Sequence, residues 1–157
     1  MVKNIIMKNI VIAFFLLFGL SFTSVAQPAQ RVAARKCIKR TTVVMLHAQK
    51  KLKENKVYTG NMAKSVRHQR YARFLFRQGK FVRAIHQSRR ARQLAFLVIQ
   101  ANKGNVNKEW ELTQDEKPAG SPTDEALEKE LPADAENLTD EKLADSDLKD
   151  IDLDDKD

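Results

Sequence analysis

The sequence has few residues that could form disulfide bonds or bind metal ions. Cys37 is the only cysteine among the 157 residues, so no disulfide can form within one chain. The histidines are His47, His68 and His86. No cysteine or carboxylate lies at ligand spacing from any of them, and we interpret all three as surface or boundary residues. We therefore predict no metal site and no cofactor.

The single cysteine has two interpretations. Ala34, Cys37 and Ile38 would share one face of a helix, which favours a small buried residue at position 37. The alternative is a disulfide between two chains through Cys37.

Acidic residues are nearly absent from the middle of the chain. Residues 31–108 carry 21 lysines and arginines and one acidic residue, Glu54. A carboxylate pair for acid–base catalysis would therefore need the C-terminal region. The sequence also has no glycine-rich phosphate loop and no nucleophile elbow. We predict that the protein is not an enzyme and has no small-molecule substrate.

The long apolar run is confined to the N-terminus. Lys3 and Lys8 precede the apolar stretch 10–20, and Ser24-Val-Ala26 places small residues where signal peptidase inspects the chain. This pattern predicts a signal peptide, residues 1–26, cleaved between Ala26 and Gln27. The alternative is an uncleaved anchor, although a bilayer span needs about 20 apolar residues. We expect an exported protein, periplasmic or secreted, without a transmembrane segment after cleavage.

Apolar residues recur at helical spacing through the basic region and predict an all-α domain, residues 31–104, after a disordered lead at 27–30. Helices are expected over residues of about 31–56, 62–78 and 80–103. The first has a buried face of Ala34, Ile38, Thr41, Met45, Ala48 and Leu52. The third has a stripe of Phe81, Ala84, Ile85, Ser88, Ala91, Ala95, Val98 and Ile99.

Glycine and proline are scarce, with five and four residues, so the glycines that do occur mark the breaks between helices. Gly60 separates helices one and two, and Asn61 is expected to cap helix two. Gly79 separates helices two and three, because a residue without Cβ takes a positive φ at little cost. Gly104 follows the end of helix three.

The hairpin around Gly79 resembles a single tetratricopeptide repeat over about residues 65–98. The resemblance rests on Gly79-x-Phe81-x-x-Ala84-Ile, with Ala72 in the first helix and Ala91 in the second. The chain departs from the family pattern in having no closing proline and only one copy. The resemblance implies a helical hairpin in which small residues let the helices approach closely, and binding of peptides or partner proteins.

Carboxylates dominate the C-terminal region. Residues 109–157 carry 19 acidic residues and five lysines. We interpret 105–123 as a linker and 124–157 as a mostly disordered acidic tail with too few apolar residues to bury a core. One or two helical turns are expected at 124–131. The carboxylates at 150–154 alternate as in a calcium loop, but the required glycine and twelfth-position glutamate are missing, which excludes that site.

The basic surface carries the main functional hypothesis. Arginine outnumbers lysine in the predicted hairpin, and its planar fork suits contacts with carboxylate or phosphate. The candidate partner-binding residues are Arg67, Arg70, Arg73, Arg77, Arg83, Arg89, Arg90 and Arg92. The alternative is a solvated charged face.

The charge division suggests two functions. One is an exported helical adaptor that binds an acidic partner protein, with its own acidic tail as an intramolecular competitor. The other is binding of a polyanion, namely anionic lipid, polysaccharide or nucleic acid. A periplasmic chaperone lies between the two.

Overall fold

The computed structural model describes residues 26–117, 120–133 and 137–154, and within these ranges it is all-helical, without strands. Three long helices form the body: α1 (Ala26–Asn55), α2 (Asn61–Arg77) and α3 (Phe81–Ala101). Two short helices follow, α4 (Asp124–Lys129) and α5 (Asp140–Ala144). Single 3₁₀ turns occur at Lys108–Trp110, Gln114–Glu116 and Lys149–Ile151. The predicted all-α class, with three substantial helices, is confirmed.

Helix α3 packs along both α1 and α2, and the contact between α1 and α2 is smaller. The predicted apolar faces are the faces that meet. All six residues of the α1 face have no exposed surface. The α3 stripe is buried except for Phe81, which is half-buried. Helical periodicity alone therefore identified the buried apolar faces of α1 and α3.

Glycine turns connect the long helices as expected. Gly60 has φ of 80° and Gly79 has φ of 74°, both in the left-handed region that favours glycine. In the hairpin between α2 and α3, Ala72, Ala84 and Ala91 have no exposed surface. Side chains this small let the two helices approach closely.

Several N-terminal predictions fall at or beyond the edge of the described residues. The predicted signal peptide lies almost entirely in residues 1–25, outside that part of the chain. Residues 27–30, expected to be a disordered lead, instead form part of the first turns of α1, which begins at Ala26. In the described residues, no helix is both long and apolar enough to cross a membrane.

The C-terminal region differs from the expected disordered tail in the parts that the structure describes. Its few apolar residues are buried against the body: Leu127, Leu143, Ala144, Leu148, Ile151 and Leu153. Leu143, Ala144, Leu148 and Ile151 join a core cluster formed with residues of α1, α2 and α3. The predicted linker also packs, since Trp110 contacts this cluster and its ring lies tilted against that of His47, with the ring centroids 4.9 Å apart. These few apolar residues are enough to hold the C-terminal region against the body, because the body supplies most of the core.

An aspartate from the C-terminal region caps α2. The carboxylate of Asp140 accepts hydrogen bonds from the backbone N–H groups of Thr59 (2.9 Å), Gly60 (2.7 Å) and Ala63 (2.9 Å). The prediction that Asn61 caps this helix is wrong, because Asn61 is its first helical residue. A distant carboxylate satisfies the free N–H groups and also complements the positive end of the helix dipole.

The single cysteine and two of the three histidines lie inside the body. Cys37 is fully buried, as its interpretation as a core residue required, and burial raises its pKa to about 11. A thiol so enclosed is a poor candidate for a disulfide between chains. His68 and His86 are buried and only His47 is a boundary residue, so the surface assignment is wrong for two of the three.

Replacing the capping carboxylate should destabilise the whole fold. We expect Asp140→Ala to lower the free energy of unfolding by about 2–3 kcal/mol, because three backbone donors at the start of α2 lose a charged acceptor. Urea unfolding followed by circular dichroism measures the change. The matched control is Glu141→Ala, at the next and exposed position, with an expected change within about 0.5 kcal/mol. Equal stability of the two variants would contradict the capping role.

Candidate functional site

The arginines of α2 face the end of the chain. Arg70 forms an ion pair with Asp150 at 2.5 Å, and Arg77 pairs with Asp154 at 3.4 Å. Arg73 lies between them, donates to the backbone carbonyl of Asp150 and approaches the Asp154 carboxylate at 3.6 Å. Their spacing of three and four residues places all three side chains on one face of the helix. This half of the predicted cationic surface is therefore covered by residues 150–154.

The arginines of α3 face the segment that contains α4. Arg90 pairs with Asp124 at 2.6 Å and Arg83 pairs with Glu130 at 3.2 Å. Arg89 donates a hydrogen bond to the hydroxyl of Ser121 at 3.0 Å. These contacts cover the second half of the predicted surface, so both arginine groups meet the protein's own acidic region.

Arg92 is a core residue and cannot bind a partner directly. Its side chain has no exposed surface, and it forms a two-pronged ion pair with Glu116, with both N–O distances at 2.9 Å. It also donates to the Thr41 hydroxyl and to the Cys37 carbonyl, each at 3.0 Å. The prediction that Arg92 binds a partner is therefore wrong. The residue instead joins the supposed linker to α1 and α3.

Burial and ion pairing oppose each other at Glu116. Burial by itself would raise the pKa of this carboxyl. Hydrogen bonds from Arg92 and from the Thr113 backbone, together with the charges of Arg92 and Arg40, outweigh burial and lower the pKa below its ordinary value of 4.5. Glu116 is thus a buried carboxylate that stays ionised because two guanidinium groups surround it.

Arg67 stands apart from the other predicted site residues. It is half-buried on α2, and its side chain forms no ion pair within the part of the chain that the structure describes. Of the eight predicted arginines, six therefore contact the acidic C-terminal region and Arg92 is buried in the core, while Arg67 has no ion pair with any of the described residues.

A buried polar chain lies beneath α4. His68 Nδ1 is 2.6 Å from Gln87 Oε1, and His68 Nε2 is 3.0 Å from a carboxylate oxygen of Glu128. Gln87 Nε2 donates to the Leu127 carbonyl and to the Glu130 carboxylate, each at 3.1 Å. Leu127 itself is buried. The short helix thus rests on polar side chains that α2 and α3 hold in place.

Other polar side chains of the body, of which Gln69 and Thr42 are buried and Gln49 is half-buried, bind the backbone of the last segment. Gln69 and Thr42 both donate to the Ile151 carbonyl at 3.1 Å. Gln49 donates to the carbonyls of Leu143 and Ser146 at 2.6 and 2.7 Å. A buried amide without a partner would cost free energy, so these glutamines fit a body that is normally covered by residues 143–151.

The sequence carried signals for several residues that the charge pattern alone does not identify. Gln69 and Gln87 occur between apolar positions of α2 and α3, where a polar residue needs a partner. Thr123 and Thr139 each precede two acidic residues, and each caps a short helix through its hydroxyl. No local signal pairs Asp140 with α2 or Glu116 with Arg92, because these contacts join distant parts of the chain.

Two aromatic side chains lie beside the arginines of α2. Phe74 is 51% exposed and stacks on Tyr71, with ring centroids 5.9 Å apart. Phe76, by contrast, is buried in the core. Among the described residues, no three His, Cys, Asp or Glu side chains are placed to hold a metal ion.

Comparison of the chain with protein-family models, with curated proteins and with solved structures finds no match. The resemblance of residues 65–98 to a tetratricopeptide repeat therefore stays a prediction.

The buried ion pair should make stability depend on pH. The pKa of Glu116 is lower in the folded protein than in the unfolded chain. The ionised carboxylate therefore contributes its full stabilisation at pH values above the ordinary carboxyl pKa, and this stabilisation is lost as the pH falls through the pKa of the folded protein. Glu116→Gln leaves Arg92 buried without its counter-charge. We expect it to lower the free energy of unfolding by about 3–5 kcal/mol at neutral pH.

Urea unfolding of Glu116→Gln and wild type, at pH 7 and at about pH 3, measures this effect. The difference between the two proteins should shrink at the lower pH, where the wild-type carboxylate also becomes protonated. Glu111→Gln, an exposed position in the same loop, serves as the control. A difference that is the same at both pH values would contradict the account.

Proposed function

We propose that the protein is an exported, non-enzymatic helical adaptor that binds an acidic partner through its cationic hairpin, formed by α2 and α3. Its acidic C-terminal region acts as the intramolecular competitor for the arginines of this hairpin. The observation that carries this proposal is the pairing of both arginine groups with carboxylates of the chain's own C-terminal region. A surface that binds carboxylates in one chain can bind those of another.

The two covering segments differ in how firmly they are held. Residues 137–154 bury Leu143, Leu148, Ile151 and Leu153, which at about 1.5–3 kcal/mol each contribute on the order of 6–12 kcal/mol. The segment with α4 buries one such side chain, Leu127. Its partly exposed ion pairs each add roughly 0–1 kcal/mol. The magnitudes favour 137–154 as a permanent part of the fold and 120–131 as the releasable competitor.

Release of α4 would uncover one group of arginines, namely Arg83, Arg89 and Arg90. The proposed competitor is therefore one short helix and not the whole acidic tail. The arginines of α2 remain covered by Asp150 and Asp154, and they position the last segment of the chain.

A second candidate, polyanion binding, is favoured by one observation. The exposed ring of Phe74 and its stacked neighbour Tyr71 lie on the arginine-rich helix α2. Aromatic rings among arginines can stack on nucleic acid bases while the guanidinium groups contact phosphate. This candidate predicts tolerance of many anionic ligands and a steep dependence on salt.

Removing the competitor's charges should expose the anion site. In the chain of residues 27–157, we expect Asp124→Asn with Glu130→Gln to tighten binding of polyglutamate about 3- to 10-fold at low salt, since Arg90 and Arg83 lose their internal partners. Binding should disappear as salt screens the contact. Fluorescence anisotropy of labelled polyglutamate across a salt series measures both effects.

A matched pair of substitutions controls for net charge. Glu125→Gln with Glu141→Gln removes the same two charges from exposed positions that make no ion pair among the described residues. Equal tightening by both double variants would show an effect of overall charge alone. No tightening by either would reject α4 as the competitor. Heparin in place of polyglutamate tests the polyanion candidate.

A further inference from the structure

Two completely buried polar side chains lie under α4. Gln87 and His68 have no exposed surface, and both contact the short helix. Leu127 is buried beside them, whereas the other residues of α4 are exposed or half-buried. Arg83 and Arg90 stand at the two ends, paired with Glu130 and Asp124. The surface therefore combines a place for one leucine with charged contacts before and after it.

The orientation of the Gln87 amide is fixed by its neighbours. Its nitrogen donates to the Leu127 carbonyl, which can only accept a hydrogen bond. Its oxygen therefore faces His68 Nδ1, and that ring nitrogen must carry a proton. His68 Nε2 in turn lies 3.0 Å from the Glu128 carboxylate, another acceptor. This second contact is a hydrogen bond only if one more proton lies between Nε2 and the carboxylate.

These contacts require a specific pattern of residues along about two helical turns. Carboxylates at positions 124 and 130 pair with arginines, the residue at 127 is the apolar anchor, and the carboxylate at 128 meets His68. A polyanion has repeated charge but supplies neither the apolar anchor nor the main-chain carbonyl that Gln87 binds. The geometry thus favours a protein segment over a polysaccharide, lipid or nucleic acid.

We propose that this surface, formed by His68, Arg83, Gln87 and Arg90, is a recognition site for a short, leucine-bearing acidic helix of a partner protein, with α4 as its internal mimic. The inference rests on the proposed function and specifies the partner. A segment with the spacing Asp-x-x-Leu-Glu-x-Glu would make every contact that Asp124, Leu127, Glu128 and Glu130 make within the chain.

The charged groups around His68 are identifiable on each adjoining element. α4 and the residue that follows it supply Glu128 directly and Glu130 through Gln87. Helix α3 carries Arg83, His86, Arg89 and Arg90, and α2 carries Lys64 and Arg67 within one turn of His68. The pKa of His86 is lowered by burial and by Arg89, while Glu130 raises it.

A labelled peptide tests the site in trans. The probe is a fluorescein-labelled peptide of residues 121–133, and the hosts are chains of residues 27–157. In the Leu127→Ser host, the internal helix loses its anchor, so we expect at least about tenfold tighter peptide binding than in wild type. The Glu125→Gln host alters an exposed residue of the same helix and should bind like wild type.

Substitutions in the peptide separate recognition from charge attraction. A peptide with Leu127→Ser should bind the open host at least about tenfold more weakly than one with Glu125→Gln, although the former keeps all its charges. If Leu127→Ser unfolds the host, Asp124→Asn with Glu130→Gln provides a second open host with its core intact.

The outcomes distinguish this inference from the proposed function. If the peptide with Leu127→Ser binds as tightly as the unmodified one, the surface is a general anion site and only the leucine-bearing partner is rejected. The leucine-bearing partner alone is also rejected if no host binds the peptide while Asp124→Asn with Glu130→Gln still tightens the binding of polyglutamate. If neither ligand responds, both proposals are wrong.

Discussion

The uneven distribution of charge along the chain is the constraint on which the structure depends. A body with 21 basic residues and one acidic residue repels itself, and the carboxylates that offset this charge all follow residue 108. Folding therefore has to bring the C-terminal region back onto the helices. It does so at separate points: Glu116 inside the core, Asp124 and Glu130 on α3, Asp140 at the start of α2, and Asp150 and Asp154 on its outer face.

These contacts are not equivalent, and the differences support a division of roles. Glu116 and Asp140 are buried and hold structural elements together through charged hydrogen bonds. The ion pairs of Asp124 and Glu130 are partly exposed, and one leucine accompanies them. Regions with few buried apolar contacts open at the lowest cost in free energy. The segment that contains α4 is therefore the part of the acidic region best suited to exchange with a partner.

The sequence predicted the body well and the C-terminal region poorly, for one physical reason. The α1 face from Ala34 to Leu52 and the turns at Gly60 and Gly79 follow from local periodicity and local backbone preference. The packing of Leu143, Leu148 and Ile151 depends instead on a groove formed by distant helices. Composition alone suggested disorder there, because it counts apolar residues without regard to the surface that receives them. Arg92 illustrates the same limit, since its burial follows from the distant partner Glu116.

The central claim is that one acidic segment is releasable while the other belongs permanently to the fold. Hydrogen–deuterium exchange of the wild-type chain, at low and at high salt, tests it most directly. The account predicts that high salt accelerates exchange in residues 120–131, where it weakens the partly exposed ion pairs of Asp124 and Glu130. Residues 137–154 should stay protected by their buried leucines. Equal acceleration in both segments, or in neither, would contradict it.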